Sequence, residues 1–134
     1  MDVPAEPREA SIVADASNDI ARGHTIALDG DGRAALSPVQ ALGLALASCM
    51  GTDVALILTR GRHPLRALRT HLTAHRAPTD PRRVVSVALR FEVEGAVPPE
   101  AVARAIALSH DKYCSVWHSL RTDIAFETSF DVIP

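Results

Sequence analysis

Ser37-Pro38-Val39-Gln40-Ala41-Leu42-Gly43-Leu44-Ala45-Leu46-Ala47-Ser48-Cys49-Met50 opens the most apolar stretch of the chain, which continues through Gly51-Thr52-Asp53-Val54-Ala55-Leu56-Ile57-Leu58-Thr59. Its beginning carries the chemistry of a helix N-terminus. Ser37 is an N-cap, and Pro38 suits the first helical position, where its fixed φ is already helical and its missing N–H would have gone unpaired. Gln40, three residues after Ser37, completes a capping box. The helix is expected to run to about Thr59. Gly61, between Arg60 and Arg62, then supplies a stop and places cations at the C-terminal end of the helix dipole.

Between Val39 and Leu58 the polar side chains are Gln40, Ser48, Thr52 and Asp53. A helix apolar nearly all round has to be buried nearly all round. Its length approaches that of a membrane span. Gly43, Ser48, Thr52 and Asp53 lower its hydrophobicity, however, and amphipathic strands follow, so the central helix of a globular protein is the better reading. A chain of 134 residues struggles to wrap ~30 Å of helix on every side. A second subunit would supply the missing cover.

Outward from this helix the pattern is mainly strand. Upstream, residues 1–9 read as a loose start, Glu9 to Ala16 as a short strand, and Gly23 to Asp29 as a better alternating one that enters the turn Gly30-Asp31-Gly32. Downstream, Leu65 to Arg76 alternates and the turn Ala77-Pro78-Thr79-Asp80-Pro81 follows. In the next strand, Val84 to Glu94, residues Val85, Val87, Leu89, Phe91 and Val93 share one face. These two strands make a long antiparallel hairpin. Pro98-Pro99-Glu100 opens a second helix, with Val102, Ala103, Ile106 and Ala107 on its apolar side, ending near Ser109. Asp111 is a candidate cap for a third, short helix with Cys114 in its first turn and Val116, Trp117 and Leu120 facing inward. Asp123 to Val132 closes the chain as a strand. The order β-β-α-β-β-α-α-β predicts one α+β domain over residues 1–134 rather than a doubly wound parallel sheet.

The bulk composition excludes several functions. With 47% hydrophobic and 22% charged residues and a formal net charge of −2, this is an ordinary globular composition. No basic stripe points to nucleic acid or to an anionic membrane surface. Aromatic residues, at 4%, are too few for base-stacking platforms. The first residues lack the basic and apolar regions of a signal peptide. Unexported free thiols fit the cytosol, where they stay reduced between turnovers.

Cys49 and Cys114 are the two cysteines of the chain. Their separation fits neither a zinc ribbon nor the framework of a small secreted domain. They are a redox pair joined by the fold, or two unrelated buried thiols. Local physics favours Cys114 as the reactive one. It is placed at a helix N-terminus near His110, Lys112 and His118, which should lower its pKa, whereas Cys49 has Asp53 one turn on, which should raise it. Asp53 itself should be buried and partnered by an arginine or a backbone donor. His110, Cys114 and His118 would line one face if a single helix ran through them and could then ligate zinc, but a cap at Asp111 breaks that helix. His24 reads as a surface or satisfied core histidine, and His63, His71 and His75 as solvated hairpin positions. Tyr113 and Trp117 read as packing residues that also shape an apolar pocket.

Gly23-His24 with Asp29-Gly30, Ser37-Pro38, Ala47-Ser48-Cys49, Asp53-Val54, Ile57-Leu58 and Gly61-Arg62 together resemble the first half of an OsmC/Ohr protein. Leu108-Ser109-His110-Asp111-Lys112-Tyr113-Cys114-Ser115-Val116 is similar to the family's second cysteine segment, above all in its YhfA-like branch. The resemblance implies an intertwined homodimer in which antiparallel sheets wrap two central helices. It also implies thiol-dependent reduction of organic hydroperoxides, with Cys49 attacking the peroxide, Cys114 resolving, a dithiol as reductant, and neither a cofactor nor a metal. Better-known branches carry a Glu in the first turn of the central helix that orients an Arg towards the reactive sulfur. Here Val39 stands at that position, and Arg22 and Arg33 are the candidate cations. Three functions therefore compete: a thiol peroxidase, a non-catalytic OsmC-like dimer that binds a small apolar ligand at its interface, and a zinc-binding or structural module.

Overall fold

The computed structural model describes residues 10–14 and 24–134. The chain divides into two compact units, Met1–Leu42 and Gly43–Pro134. In the first, strands β1 (Ala10–Ala14) and β2 (His24–Leu28) pair antiparallel, with Ala10 opposite Leu28 and Ala14 opposite His24. The loose start expected over residues 1–9 lies outside the described residues. After β2 the turn expected from Gly30-Asp31-Gly32 is organised by one buried carboxylate. Asp29 accepts the backbone N–H groups of Asp31, Arg33 and Ala34 at 3.1, 3.2 and 3.0 Å. Gly32 adopts the left-handed φ of 69° that closes such a turn cheaply only for glycine. Helix α1 (Pro38–Arg60) then begins with the expected capping box. The Gln40 N–H donates to Ser37 Oγ at 3.1 Å, and the Ser37 N–H donates to Gln40 Oε1 at 2.9 Å.

The second unit holds the rest of α1, the hairpin β3 (Ala67–Arg76) and β4 (Val84–Glu94), helix α2 (Pro99–Leu108) and strand β5 (Ala125–Ile133). Strand β4 is central. It pairs antiparallel with β3, Ala67 facing Glu94, and parallel with β5, from Ser86 facing Ala125 to Glu94 facing Ile133. The expectation of wholly antiparallel sheets is corrected here, although the α+β class stands. The crossover through α2 carries the chain back along the sheet, and a strand that returns through a helix can pair parallel with the one it left.

The core lies between α1 and one face of β4. Leu46, Met50, Val54 and Leu58 recur every four residues along the helix and are buried, as are Val87, Leu89, Phe91 and Val93 at alternate positions of the strand. Each such side chain contributes about 1.5–3 kcal/mol of apolar burial. The described residues leave much of the other side of the helix exposed. Leu44 and Leu56 are 52% and 46% exposed, on the side whose cover the sequence reading assigns to a second subunit. The helix has the length and a mean hydropathy, 1.9, that would suit a membrane span, but its inner face is committed to this sheet.

Gly95 fixes the exit from β4. Its φ of 131° and the crowding of its α-carbon exclude a side chain, because a Cβ there would run into the carbonyl oxygen of Pro64. The Gly95 N–H donates to the Ile133 carbonyl at 2.8 Å and the Arg66 N–H to the Glu94 carbonyl at 2.8 Å. All three strands are thereby tied at the end from which α2 departs.

Candidate redox site

Cys49 and Asp53 lie one turn apart on α1. The segment after α2 brings Cys114 against them. The two sulfurs and a carboxylate oxygen of Asp53 all lie within 4.8 Å of one another. Cys49 is half-buried and Cys114 fully buried, and both are free thiols.

The backbone that delivers Cys114 is irregular. Helix α2 passes into one π-helical turn, Ser109–Tyr113, closed by the Cys114 N–H on the Ser109 carbonyl at 2.8 Å. Cys114 itself is extended, with φ −72° and ψ 101°. It then heads the next turn: its carbonyl accepts the His118 N–H at 3.0 Å and its Sγ accepts the Trp117 N–H at 3.4 Å. A single 3₁₀ turn, Trp117–Ser119, follows. The cap expected at Asp111 is therefore wrong. The helix runs through that position as a π turn, and Asp111 is an exposed residue whose carboxylate meets His110 Nδ1 at 2.8 Å.

Asp53 is partnered, though not by the arginine or backbone donor expected. Ser109 Oγ donates to Asp53 Oδ2 at 2.7 Å, and Ser109 is itself completely buried. Sequence reasoning missed Ser109, although a signal existed: it extends the buried row Val102, Ala105 and Ile106 of α2. A serine on such a row needs a partner inside. Ser115, whose Oγ is 3.8 Å from Cys49 Sγ, carried no comparable signal.

The electrostatics reverse the ranking of the two thiols. Burial opposes ionisation of Cys49, and Asp53 opposes it further. Hydrogen bonds from the Val116 backbone, the Cys114 thiol and Ser115 outweigh both, so Cys49 is held below its ordinary value. Burial pushes Cys114 up to about 11, the proximity of Cys49 and Asp53 adds to this, and the Trp117 N–H offsets only part. The cations expected to activate Cys114 are turned elsewhere. His118 Nε2 bonds to the His110 carbonyl at 2.9 Å, His110 engages Asp111, and Lys112 lies 5.2 Å over the Tyr113 ring. The same arrangement separates His110, Cys114 and His118 as a zinc set. The groups that lower Cys49 are hydrogen-bond donors rather than an arginine. Arg22 lies outside the described residues, as does the side chain of His24, and Arg33 occupies the Asp29 loop.

Beside the thiols, Trp117 packs in an aromatic cluster with His110 and Phe126, ring centroids 5.3 and 4.7 Å away. This agrees with its reading as a packing residue. Tyr113 is 52% exposed. A groove of about 390 Å³ lies against this cluster, lined by Ile106, His110, Asp111, Phe126, Ser129 and Phe130 and by neither cysteine. Of the remaining histidines, His71 and His75 are solvated as expected, His71 facing Glu92 at 3.3 Å, while His63 is half-buried before β3.

A helix packed on a three-stranded sheet, with one thiol on that helix and a second delivered after α2, matches a known class. The OsmC-like protein family profile matches residues 29–129, and the chain belongs to that family. Protein YhfA of Escherichia coli is 36% identical over 115 residues, covering 84% of this chain and 86% of YhfA. Among solved structures, a hypothetical protein from Aquifex aeolicus superposes with a TM-score of 0.74 at 22% identity, over 95% of this chain and 97% of that one. An organic hydroperoxide resistance protein OsmC from Legionella pneumophila superposes with a TM-score of 0.66 at 16% identity, over 96% and 100%.

Proposed function

We propose that this protein is a two-cysteine thiol peroxidase that reduces organic hydroperoxides. The observation that carries this reading is the convergence of two free sulfurs within 4.8 Å, with the pKa of one lowered and of the other raised. Two adjacent thiols in a cytosolic redox enzyme need unequal acidity: the attacking sulfur must ionise, and the resolving sulfur must wait. The Cys49 thiolate would attack the distal peroxide oxygen. The O–O bond breaks, the alkoxide leaves and takes up a proton, and Cys49 becomes a sulfenic acid. Cys114 would then displace water from it to form the disulfide, and a dithiol would restore both thiols. The fold shared with a protein named for organic hydroperoxide resistance supports the substrate class.

We read the whole chain as one domain of a cytoplasmic homodimer. Among the described residues nothing covers Leu44 and Leu56 on the outer side of α1, and a second copy would bury them. Sedimentation at micromolar concentration should give twice the 14.3 kDa chain mass; a clean monomer would refute the dimer.

The function is tested with cumene hydroperoxide and dithiothreitol. The native protein should consume the peroxide, Cys49→Ser should abolish consumption, and Cys114→Ser should accumulate a sulfenate that dimedone traps. If Cys49→Ser still turns over and Cys114→Ser does not, the roles are reversed. If the native protein consumes none, the alternative prevails: a dimer that binds a small apolar ligand. That reading is favoured by the absence of an acidic residue in the first turn of α1, where Val39 stands.

A further inference from the structure

Resolution of a sulfenic acid by a thiol has a proton requirement that the two cysteines cannot meet alone. Cys49–S–OH and HS–Cys114 give Cys49–S–S–Cys114 and water. The S–S bond forms as the S–O bond breaks, the Cys114 sulfur supplies the electron pair, and the oxygen departs with both bonding electrons. The thiol proton must leave sulfur, and the departing hydroxide must gain one. Cys114 is completely buried, so bulk water does not reach its proton directly.

The titratable neighbours on the Cys114 segment do not answer this need. His110 is bonded to Asp111, His118 to the His110 carbonyl, and Lys112 lies over Tyr113. Arg90 and Glu92 of β4 pair with each other and with Asp131 and His71 on the sheet, and Glu94 stands at the far end of that strand. The hydroxyl of Ser115 approaches Cys49 rather than Cys114. Asp53 differs from all of these. One of its carboxylate oxygens lies within 4.8 Å of both sulfurs, and its Oδ2 is anchored at 2.7 Å by the buried hydroxyl of Ser109. The carboxylate also has a cost, since its charge opposes the Cys49 thiolate. A group that hinders the first chemical step and is nevertheless anchored within reach of both sulfurs is positioned for the second.

Resting on the peroxidase reading above, we propose that Asp53 relays the proton of the resolving step, accepting it from the Cys114 thiol and returning it to the hydroxide leaving Cys49, with Ser109 as the positioning residue that holds the carboxylate close to both sulfurs. The relay needs no external acid or base, because the proton lost by one sulfur becomes part of the water released at the other. The required reach is a direct contact or one bridging water.

The relay can be tested without peroxide, so that its failure is distinct from failure of the peroxidase reading. The reduced protein is mixed with 4,4′-dithiodipyridine. Attack by Cys49 releases a first thiopyridone, and attack by Cys114 on the resulting mixed disulfide releases a second. In Asp53→Asn, whose amide oxygen can still accept from Ser109, the first release should be no slower than in the native protein. The second should slow by roughly 10²-fold at neutral pH, the size of a general acid–base contribution. Its rate should then climb about tenfold per pH unit, because only spontaneous ionisation of Cys114 remains. Ser109→Ala keeps the carboxylate but frees it, and should give an intermediate slowing. Circular dichroism checks that each variant is folded. A second release in Asp53→Asn that matches the native rate and pH profile overturns the relay, whether or not the protein consumes hydroperoxide.

Discussion

Around Cys49, every feature of the backbone repeats. The Ser37–Gln40 capping box starts a helix that runs unbroken for 23 residues, and its buried side chains recur at one spacing. Around Cys114 nothing repeats. Between Ser109 and Ser119 the chain makes a π turn, one extended residue and a 3₁₀ turn, and the sulfur itself accepts the Trp117 N–H. The regular region presents its thiol half-exposed with donors converging on it, while the irregular region encloses its thiol completely. Reactivity therefore does not follow from a cysteine's local setting. A helix terminus lowers a thiol pKa only while the sulfur stays solvated or meets cations. Here burial overrides the terminus at Cys114, and hydrogen bonds from a distant segment override Asp53 at Cys49.

Five measurements would break or sharpen this contrast. The largest effect is in alkylation. With Cys114 at about 11 and Cys49 below its ordinary value, iodoacetamide at pH 8 should modify Cys49 at least about a hundredfold faster. Peptide mapping after partial labelling reads this ratio, and equal labelling would erase the proposed division of roles. The raised pKa also couples to stability. The unfolded chain releases the Cys114 proton more readily than the folded one, so the stabilising contribution is complete below pH 9 and lost as pH rises through about 11. Replacing Cys114 with Ser should flatten that alkaline loss in chemical denaturation.

Next in size is packing on the regular side. Met50 is fully buried under the sheet, and Met50→Ala should lower unfolding free energy by about 2–5 kcal/mol. A loss under about 1 kcal/mol would mean that the α1–sheet core is looser than described. The two serine replacements should then differ. Cys114→Ser puts a hydroxyl where the side chain is completely enclosed and should cost about 1–3 kcal/mol, whereas Cys49→Ser, half-exposed beside Ser115, should cost less. Thermal denaturation of the two reduced variants makes the comparison, and the opposite order would refute the burial argument for Cys114. The smallest effect lies at the helix start, where Gln40→Ala removes one arm of the capping box and should cost about 0.5–1 kcal/mol without altering either thiol. A change in Cys49 reactivity in that variant would show that the helix start and the site are coupled.

The sequence determined most of the framework. Capping chemistry at Ser37, Pro38 and Gln40 placed the start of α1, and strict alternation from Val84 to Glu94 placed β4 with its inward face, because those signals depend on neighbours three or four residues away, or two. The paired cysteine segments were legible as a family resemblance, and the family is borne out. Tertiary structure alone decided the rest. The parallel pairing of β5 depends on where α2 returns the chain, and local alternation is the same in either direction. The π turn that precedes the enclosed Cys114 starts at Ser109, whose hydroxyl meets Asp53 from 56 residues away. The ranking of the thiols depends on donors at Val116 and Ser115 far along the chain from Cys49. Acidity is set by whatever surrounds a sulfur in space, and a linear sequence does not state those distances.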